Sequence, residues 1–221
     1  MRSGASRILL AREVATGALL KADTARHLPP EGTYQCLDPH CGGDLNVCRW
    51  PNRPGRYYFR HRTAASASSA CGFHSSNERT QRRHEAAKHL LAVVLNEAIN
   101  HREPMPLLEF QVAGATRQVL PLIRAKQVVP EWECRRTGKR ADIALLDGLE
   151  EPVLLIEVFH THAVDRHKEK AYSDYWWIEV EANAIIADHG CLPVIHSGNL
   201  PYVFAPQTQQ RTLPGIPVRE W

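Results

Sequence analysis

"LLIEVFHTHAVDRHKEKAY", residues 154–172, is the stretch on which the reading of this chain turns. Leu154, Leu155, Ile156, Val158 and Phe159 form an apolar run of the length and composition of a buried strand. Glu157 stands inside that run. Burying a carboxylate is costly unless something compensates for its charge. Immediately beyond the strand come a threonine, three histidines, an aspartate and two lysines, so polar chemistry is crowded where compensation is needed.

Upstream, "KRADIALLDGLEEPVLLIEVF" (139–159) reads as two apolar strands around a four-residue loop at 148–151. Asp147 then faces Pro152, and the register carried outward sets Asp142 opposite Glu157. Directly opposed residues share a face, with Cβ atoms roughly 4.5–5.5 Å apart. Two carboxylates there repel, and a divalent cation between them resolves the repulsion. Hard oxygen ligands suit Mg²⁺ or Mn²⁺. The plainer alternative leaves one carboxylate exposed at a strand end or paired with Arg140. Thr161, His162, Asp165 and Lys168 line the start of a helix expected over about 163–174. Asp165 and Lys168 share a face of it. A lysine beside two metal-bound carboxylates would orient water and stabilise a pentacovalent phosphate; the alternative is an ordinary solvent-facing lysine.

The surrounding pattern is a helix, strands, a helix and a strand. "HEAAKHLLAVVLNEAI" puts Ala87, Leu90, Leu91, Val94, Leu95 and Ala98 on one stripe, which predicts a helix over 77–100. Short β-rich pieces follow near 107–113, 117–123, 126–134, 140–147 and 152–159. "WWIEVEA" predicts another strand and 182–189 a short helix. The tail from 192 carries Pro193, Pro201, Pro206, Pro214 and Pro217 and reads as strand fragments and extended chain. This order is that of an α/β or α+β protein.

With Asp142, the hairpin and Glu157 in that order, the chain resembles the PD-(D/E)XK nuclease superfamily. "KRADIALL…LLIEVFHTHAVDRHKEK" is similar to the nuclease core of competence protein CoiA-like proteins, in which a strand glutamate is followed by a "TH-x-x-D-x-x-K" segment. Here that segment is Thr161, His162, Asp165 and Lys168, and the resemblance covers about residues 77–182. It implies a restriction-endonuclease-like αβββαβ core and metal-dependent cleavage of nucleic acid. Asp142, Glu157 and Lys168 would be catalytic, and Glu133 a further Mg²⁺ ligand. Arg140, His84, Lys88 and His162 would contact nucleic acid.

The chain departs from the pattern at Phe159, where the superfamily usually has lysine or glutamine. Either Lys168 has taken over from the helix or catalysis is lost. The family's first-helix pattern, Glu-x-x-x-His-x-x-x-Lys, is met by His84 and Lys88, but Thr80 stands at the glutamate position. Glu78, Glu85, Glu131 and Glu133 are the acidic residues nearby.

Residues 33–75 are rich in Cys, His, Gly, Pro and Ser and poor in aliphatics, so a metal would have to substitute for a core. "YQCLDPHCGGDL" sets Cys36 and Cys41 around a turn, with four residues between them. "YYFRHR" places His61 at a strand end and "SSACGFH" adds Cys71. Turn-held pairs of this kind suit tetrahedral Zn²⁺, and the CoiA-like group has a similar module. The expected ligands are Cys36, Cys41, His61 and Cys71, with His40, Cys48 and His74 as reserves. Cys134 and Cys191 read as core thiols.

A division follows: residues 1–76 hold a strand region and a zinc-finger-like module, and 77–221 a nuclease-like domain. No apolar run is long enough to span a membrane, and a cytoplasmic location is expected, where six cysteines serve as ligands or buried thiols. The net charge of +3 is too mild to prove a nucleic-acid partner. The expected function is a Mg²⁺-dependent endonuclease acting on DNA, in DNA processing or phage defence, with structural Zn²⁺. RNA as substrate stays open, as do a homodimer and a place in a larger complex. The rival is a catalytically silent nucleic-acid-binding or recruitment subunit that keeps the fold.

Overall fold

Alternation along the strands of 140–181 decides how the chain is layered. In the computed structural model, which describes residues 7–27, 34–62, 71–74, 81–100, 104–112, 115–119, 125–160 and 166–200, Ile143, Leu145, Leu154, Ile156, Val158, Ile178 and Val180 point to one face of a large sheet. Ala144, Leu146, Leu155 and Trp177 point to the other. The first face packs on helix α1 (Gln81–Ile99), whose buried stripe includes Ala87, Leu90, Leu91, Val94, Leu95 and Ala98 as the 3.6-residue period predicts. The second lies under Ala171 and Tyr172 at the end of α2 (Arg166–Ala171).

The chain is mixed α/β, mostly sheet. An N-terminal five-stranded sheet comprises β1 (Leu10–Glu13), β2 (Leu19–Lys21), β3 (Tyr34–Gln35), β4 (Asp44–Arg49) and β5 (Tyr57–His61), in the order β2-β1-β3-β4-β5. Just before β1, Ile8 bridges Phe59 of β5, so this sheet curls back on itself. The second sheet comprises β6 (Leu107–Val112), β7 (Ala115–Val119), β8 (Gln127–Glu133), β9 (Arg140–Leu146), β10 (Pro152–Phe159), β11 (Trp177–Glu181) and β12 (Cys191–Gly198). Its seven strands run in the order β7-β6-β12-β11-β10-β9-β8. β8, β9 and β10 form an antiparallel meander, and β11 returns parallel to β10 after α2. The short α3 (Ala182–Ala187) buries Ile185 and Ile186 against the core. That core is continuous from Tyr34, Phe59 and Phe73 to Leu91 and Ile178, so the N-terminal sheet and the large sheet share it across the expected boundary at 76–77. None of the helices among the described residues is long and apolar enough to cross a membrane.

Two expectations are corrected. Pro152 faces Leu146 and not Asp147. Asp147 lies inside the turn, where its Oδ1 accepts the N–H groups of Leu149 (2.8 Å) and Glu151 (3.1 Å). An irregularity between Pro152 and Leu154 absorbs this one-residue slip, and Leu155↔Ala144 and Ile156↔Ile143 follow. Carried one step further, that register does set Glu157 opposite Asp142. At the start of the tail, β12 is one strand inside the sheet, between β11 and β6, and residues 201–221, with Pro201, Pro206, Pro214 and Pro217, lie outside the described residues. Pro193 is tolerated because its pairing with β6 ends there, and the pairing with β11 shifts register between His196 and Val194.

Candidate functional site

The sulfur cluster is the simpler of two chemically loaded sites. Cys36 follows β3, Cys41 closes the next turn, His61 ends β5 and Cys71 lies beyond it. Their four ligand atoms all fall within 4.8 Å of one another. Cys36 Sγ is 3.9 Å from Cys71 Sγ, and Cys41 Sγ is 3.1 Å from His61 Nε2. A tetrahedral zinc with Zn–S near 2.3 Å sets its sulfurs about 3.8 Å apart, so the residues fit such an ion. The expected ligand set is the one brought together, and His40, Cys48 and His74 stay outside it.

Asp38, which is 1% exposed, holds the knuckle. Its Oδ1 accepts His40 N–H, its Oδ2 accepts Gly72 N–H, and its carbonyl accepts the N–H groups of Cys41 and Gly42. One buried carboxylate thus ties the Cys41 turn to the Cys71 turn. Without a cation the thiols share protons unequally. Hydrogen bonds to Cys41 and Cys71, with burial, push Cys36 up, and the same bonds pull Cys41 down.

Gly72 makes the joint to the rest of the molecule. A methyl group there would lie 2.2 Å from the carbonyl oxygen of Arg82, so only glycine lets the loop pack on α1. The Arg83 guanidinium donates back to Gly72 O at 3.3 Å.

The carboxylate site lies on the large sheet. Glu157 is 4% exposed in β10. Its Oε2 accepts Lys168 Nζ at 2.6 Å and its Oε1 accepts the Tyr172 hydroxyl at 2.8 Å. Lys168 and Tyr172 are four apart and reach from the same side of α2 and its following turn. Asp142 Oδ2 bonds His84 Nε2 of α1 at 3.1 Å and accepts Val158 N–H at 2.8 Å. Each carboxylate therefore arrives with its own counter-charge. The repulsion expected between the pair is relieved by His84 and Lys168 within the chain itself.

The two environments drive the carboxyls apart. Burial lifts Glu157 to about 7, the Asp142 charge adds to this, and Lys168 and Tyr172 pull against it. Burial also works to raise Asp142, but the hydrogen bond and charge of His84 and the Val158 N–H hold it below the usual range. Its bond to Asp142 raises His84 against the pull of burial. A split pair of this kind gives one proton carrier near neutrality and one fixed anion.

Other expected site residues are placed differently. Glu133 lies at an exposed end of β8, paired with Arg140 at 3.1 Å, and does not join Asp142. The acidic residue turned toward the site is Glu131. It falls at the register position opposite Asp142, between Pro130↔Ile143 and Trp132↔Ala141, with a left-handed φ of 53°. Such a backbone costs on the order of 1–3 kcal/mol in a non-glycine residue and clusters at functional sites. Its carboxylate meets Lys88 Nζ, which also holds Glu85 at 2.7 Å. Lys88 is 8% exposed and engaged with these two carboxylates. His84 likewise serves Asp142. Phe159 is half-buried at the end of β10, and Lys168 brings its ammonium to Glu157 from the helix. His162, with Thr161 and Asp165, lies outside the described residues, as do Glu78 and Thr80.

Sequence reading passes over Tyr172, Glu179 and Asp38. Tyr172 was legible as the fourth residue after Lys168 on a predicted helix. Glu179 repeats the signal of Glu157: a carboxylate in an apolar strand, 2% exposed, directly beside Glu157 in the parallel register. Nothing local marks Asp38, whose partner Gly72 is 34 residues away.

The chain matches no protein-family model, no curated protein and no solved structure.

Proposed function

We propose that this chain is a metal-dependent nuclease that hydrolyses phosphodiester bonds in DNA, built on a restriction-endonuclease-like core with a CoiA-like zinc module. The observation that carries the reading is Lys168 Nζ at 2.6 Å from Glu157 Oε2, next to Asp142 on the adjoining strand. Two carboxylates and a lysine converge although Phe159 occupies the usual lysine position. The element order supports the same reading: α1, an antiparallel meander, α2, and a strand parallel to the last of the meander.

Asp142 and Glu157 offer hard oxygen donors that suit Mg²⁺ or Mn²⁺, and the ion would supply Lewis acidity and a more acidic water. The rest is done by the chain. Tyr172 fixes one oxygen of Glu157, and His84 orients Asp142 while balancing its charge. Lys168 stands where negative charge develops as water adds to phosphorus and the leaving oxygen departs. Arg140, exposed two residues before Asp142, would contact a phosphate and so position the strand without reading its sequence. The cysteine cluster would hold structural Zn²⁺.

Incubation of supercoiled plasmid with purified chain, with Mg²⁺, with Mn²⁺ and without divalent ion, tests the reading. Nicking that needs the ion and vanishes in Asp142→Asn is expected. Intact plasmid and intact RNA under every condition would overturn it. The second reading, a silent nucleic-acid-binding subunit, draws on Phe159 and on carboxylates already charge-compensated by His84 and Lys168. It predicts binding without cleavage.

A further inference from the structure

A cleft of about 880 Å³ opens between the N-terminal sheet, Arg83 of α1 and α3. Trp50 stands in its wall, and the ring is fixed by its Nε1–H, which donates to Tyr57 O at 3.1 Å. The Arg7 guanidinium lies over the ring at 3.9 Å from its centroid and that of Arg53 at 5.1 Å. Lys21 and Arg56 line the same wall. Arg83, 8% exposed, comes from α1 opposite them, aligned by Asn183 Oδ1 at 2.6 Å from its Nε. Five cationic side chains thus face two carboxylates in the lining, Asp23 and Asp188. Asp23 is partly neutralised by Arg56 at 3.0 Å, and Asp188 accepts Gly190 N–H at 2.9 Å. The whole chain has a net charge of only +3, so positive charge is concentrated here.

We infer that this cleft binds a single-stranded segment of nucleic acid. This deepens the nuclease reading and rests on it for the identity of the substrate. The cations come from four separate segments and two walls, which suits successive phosphates better than one compact anion. An aromatic ring among arginines is the combination that holds unpaired bases, because stacking needs a base face and the arginines take the flanking phosphates. A duplex keeps its base faces stacked inside and offers none to join the arginines that lie over the Trp50 ring. Arg83 and His84 are consecutive in α1. The helix therefore presents one residue to the cleft and the next to Asp142, and a strand lying in the cleft is held by the same helix that orients the carboxylate.

Anisotropy titration of labelled single-stranded and duplex oligonucleotides of equal length tests this, without divalent ions and at several salt concentrations. Wild-type protein is expected to bind the single strand at least 10-fold more tightly than the duplex. Arg7→Ala with Arg53→Ala should weaken that binding at least 10-fold and flatten the log–log salt slope by about 1.4, at about 0.7 per phosphate contact on a single strand. Trp50→Phe should bind nearly as wild type, whereas Trp50→Leu should lose single-strand preference. Zinc content and melting temperature equal to wild type certify that the variants are folded, and the arginine pair, exposed on the surface, is the safe case. Equal affinity for duplex, unchanged binding by the arginine variant, or full displacement by a mononucleotide at equal phosphate concentration would overturn the inference. Cleavage is not read in this assay. Loss of binding in the arginine variant of a protein that never cleaves would sink the nuclease reading and keep the cleft. Normal binding by that variant, in a chain that cleaves, would do the reverse.

Discussion

The cysteine cluster and the carboxylate site answer the same physical problem in opposite ways. Both gather ionisable groups in a dry interior. Cys36, Cys41 and Cys71 meet His61, and the knuckle's own charged group, Asp38, is itself an acid. A metal ion held there would allow the thiols to ionise together. Asp142 and Glu157 instead carry His84 and Lys168 with them. The difference teaches that crowded ligand atoms demand a cation only where the chain has not provided one. A metal at the first site would serve the fold, and one at the second would serve only the chemistry proposed for it.

The largest effect should therefore follow loss of zinc. Structural zinc in small modules carries on the order of 10 kcal/mol of binding free energy at neutral pH. Protein purified without metal-affinity steps should contain one zinc per chain by elemental analysis. Cys71→Ser should abolish it and lower the melting temperature sharply. Folded, zinc-free protein would break the comparison. Next comes Lys168, for which a catalytic role is proposed: Lys168→Ala should slow plasmid nicking about 10²-fold or more, as for a lost transition-state contact. Zinc content and fold should not change, and full activity would remove Lys168 from the site.

Third in size is a pH effect on the protein without divalent ions. Glu157 binds its proton more tightly folded, at about 7, than at the ordinary 4.5. Its contribution is thus fully present below about pH 4.5 and is lost as pH rises toward 7, on the order of 3 kcal/mol in all. His84 shifts upward too, but its contribution is lost only above its ordinary 6.5. His89, held below its ordinary 6.5 by burial, adds stability as pH rises through its own titration, so Glu157's share of the profile between pH 5 and 6.5 is the fall that Glu157→Gln removes. Denaturant titrations across that range should show a decline that Glu157→Gln flattens; parallel curves would mean that its carboxyl is not perturbed. Asp142 acts in the opposite sense, contributing stability above the usual carboxylate range that is lost on acidification. The smallest effect is expected at Glu133, whose pair with Arg140 is exposed by 53% and 64%. Glu133→Gln should change stability by less than about 1 kcal/mol and leave cleavage intact. Loss of cleavage would restore it as a ligand.

How much of this was legible follows from the range of the forces involved. The α1 stripe and the strands of the large sheet were readable because apolar period is a local property, and so was the α/β class. The opposition of Asp142 and Glu157 was also readable, and it survived a turn shifted by one residue because the core faces of β9 and β10 impose the register beyond Val153. The cysteine ligands stood out by residue type alone. β12 was not legible, since Pro193 argues against a strand and only its neighbours β11 and β6 reveal the pairing that tolerates it. The different placing of Glu133 and Glu131, either of which the sequence allows as a ligand, was not legible for a related reason. Proximity in sequence favoured Glu133, whereas the left-handed turn at Glu131 that swings its carboxylate to Lys88 is a property of the folded backbone.

Gly72 gives the two sites a common thermodynamic account. Its N–H is gripped by Asp38, Cys71 precedes it, and its bare α-carbon rests against the first turn of α1, where His84 begins the hold on Asp142. A joint with no room for a methyl group has little play, so zinc held by the cysteines would be coupled to the setting of α1. Coupling of that kind is reciprocal: a ligand that stabilises α1 at the carboxylates would tighten zinc binding by the same free energy with which zinc favours that ligand. The affinity with which the cysteines hold zinc against a chelator would then be a remote gauge of any ligand at Asp142 and Glu157, and Gly72 is the residue through which the gauge would be read.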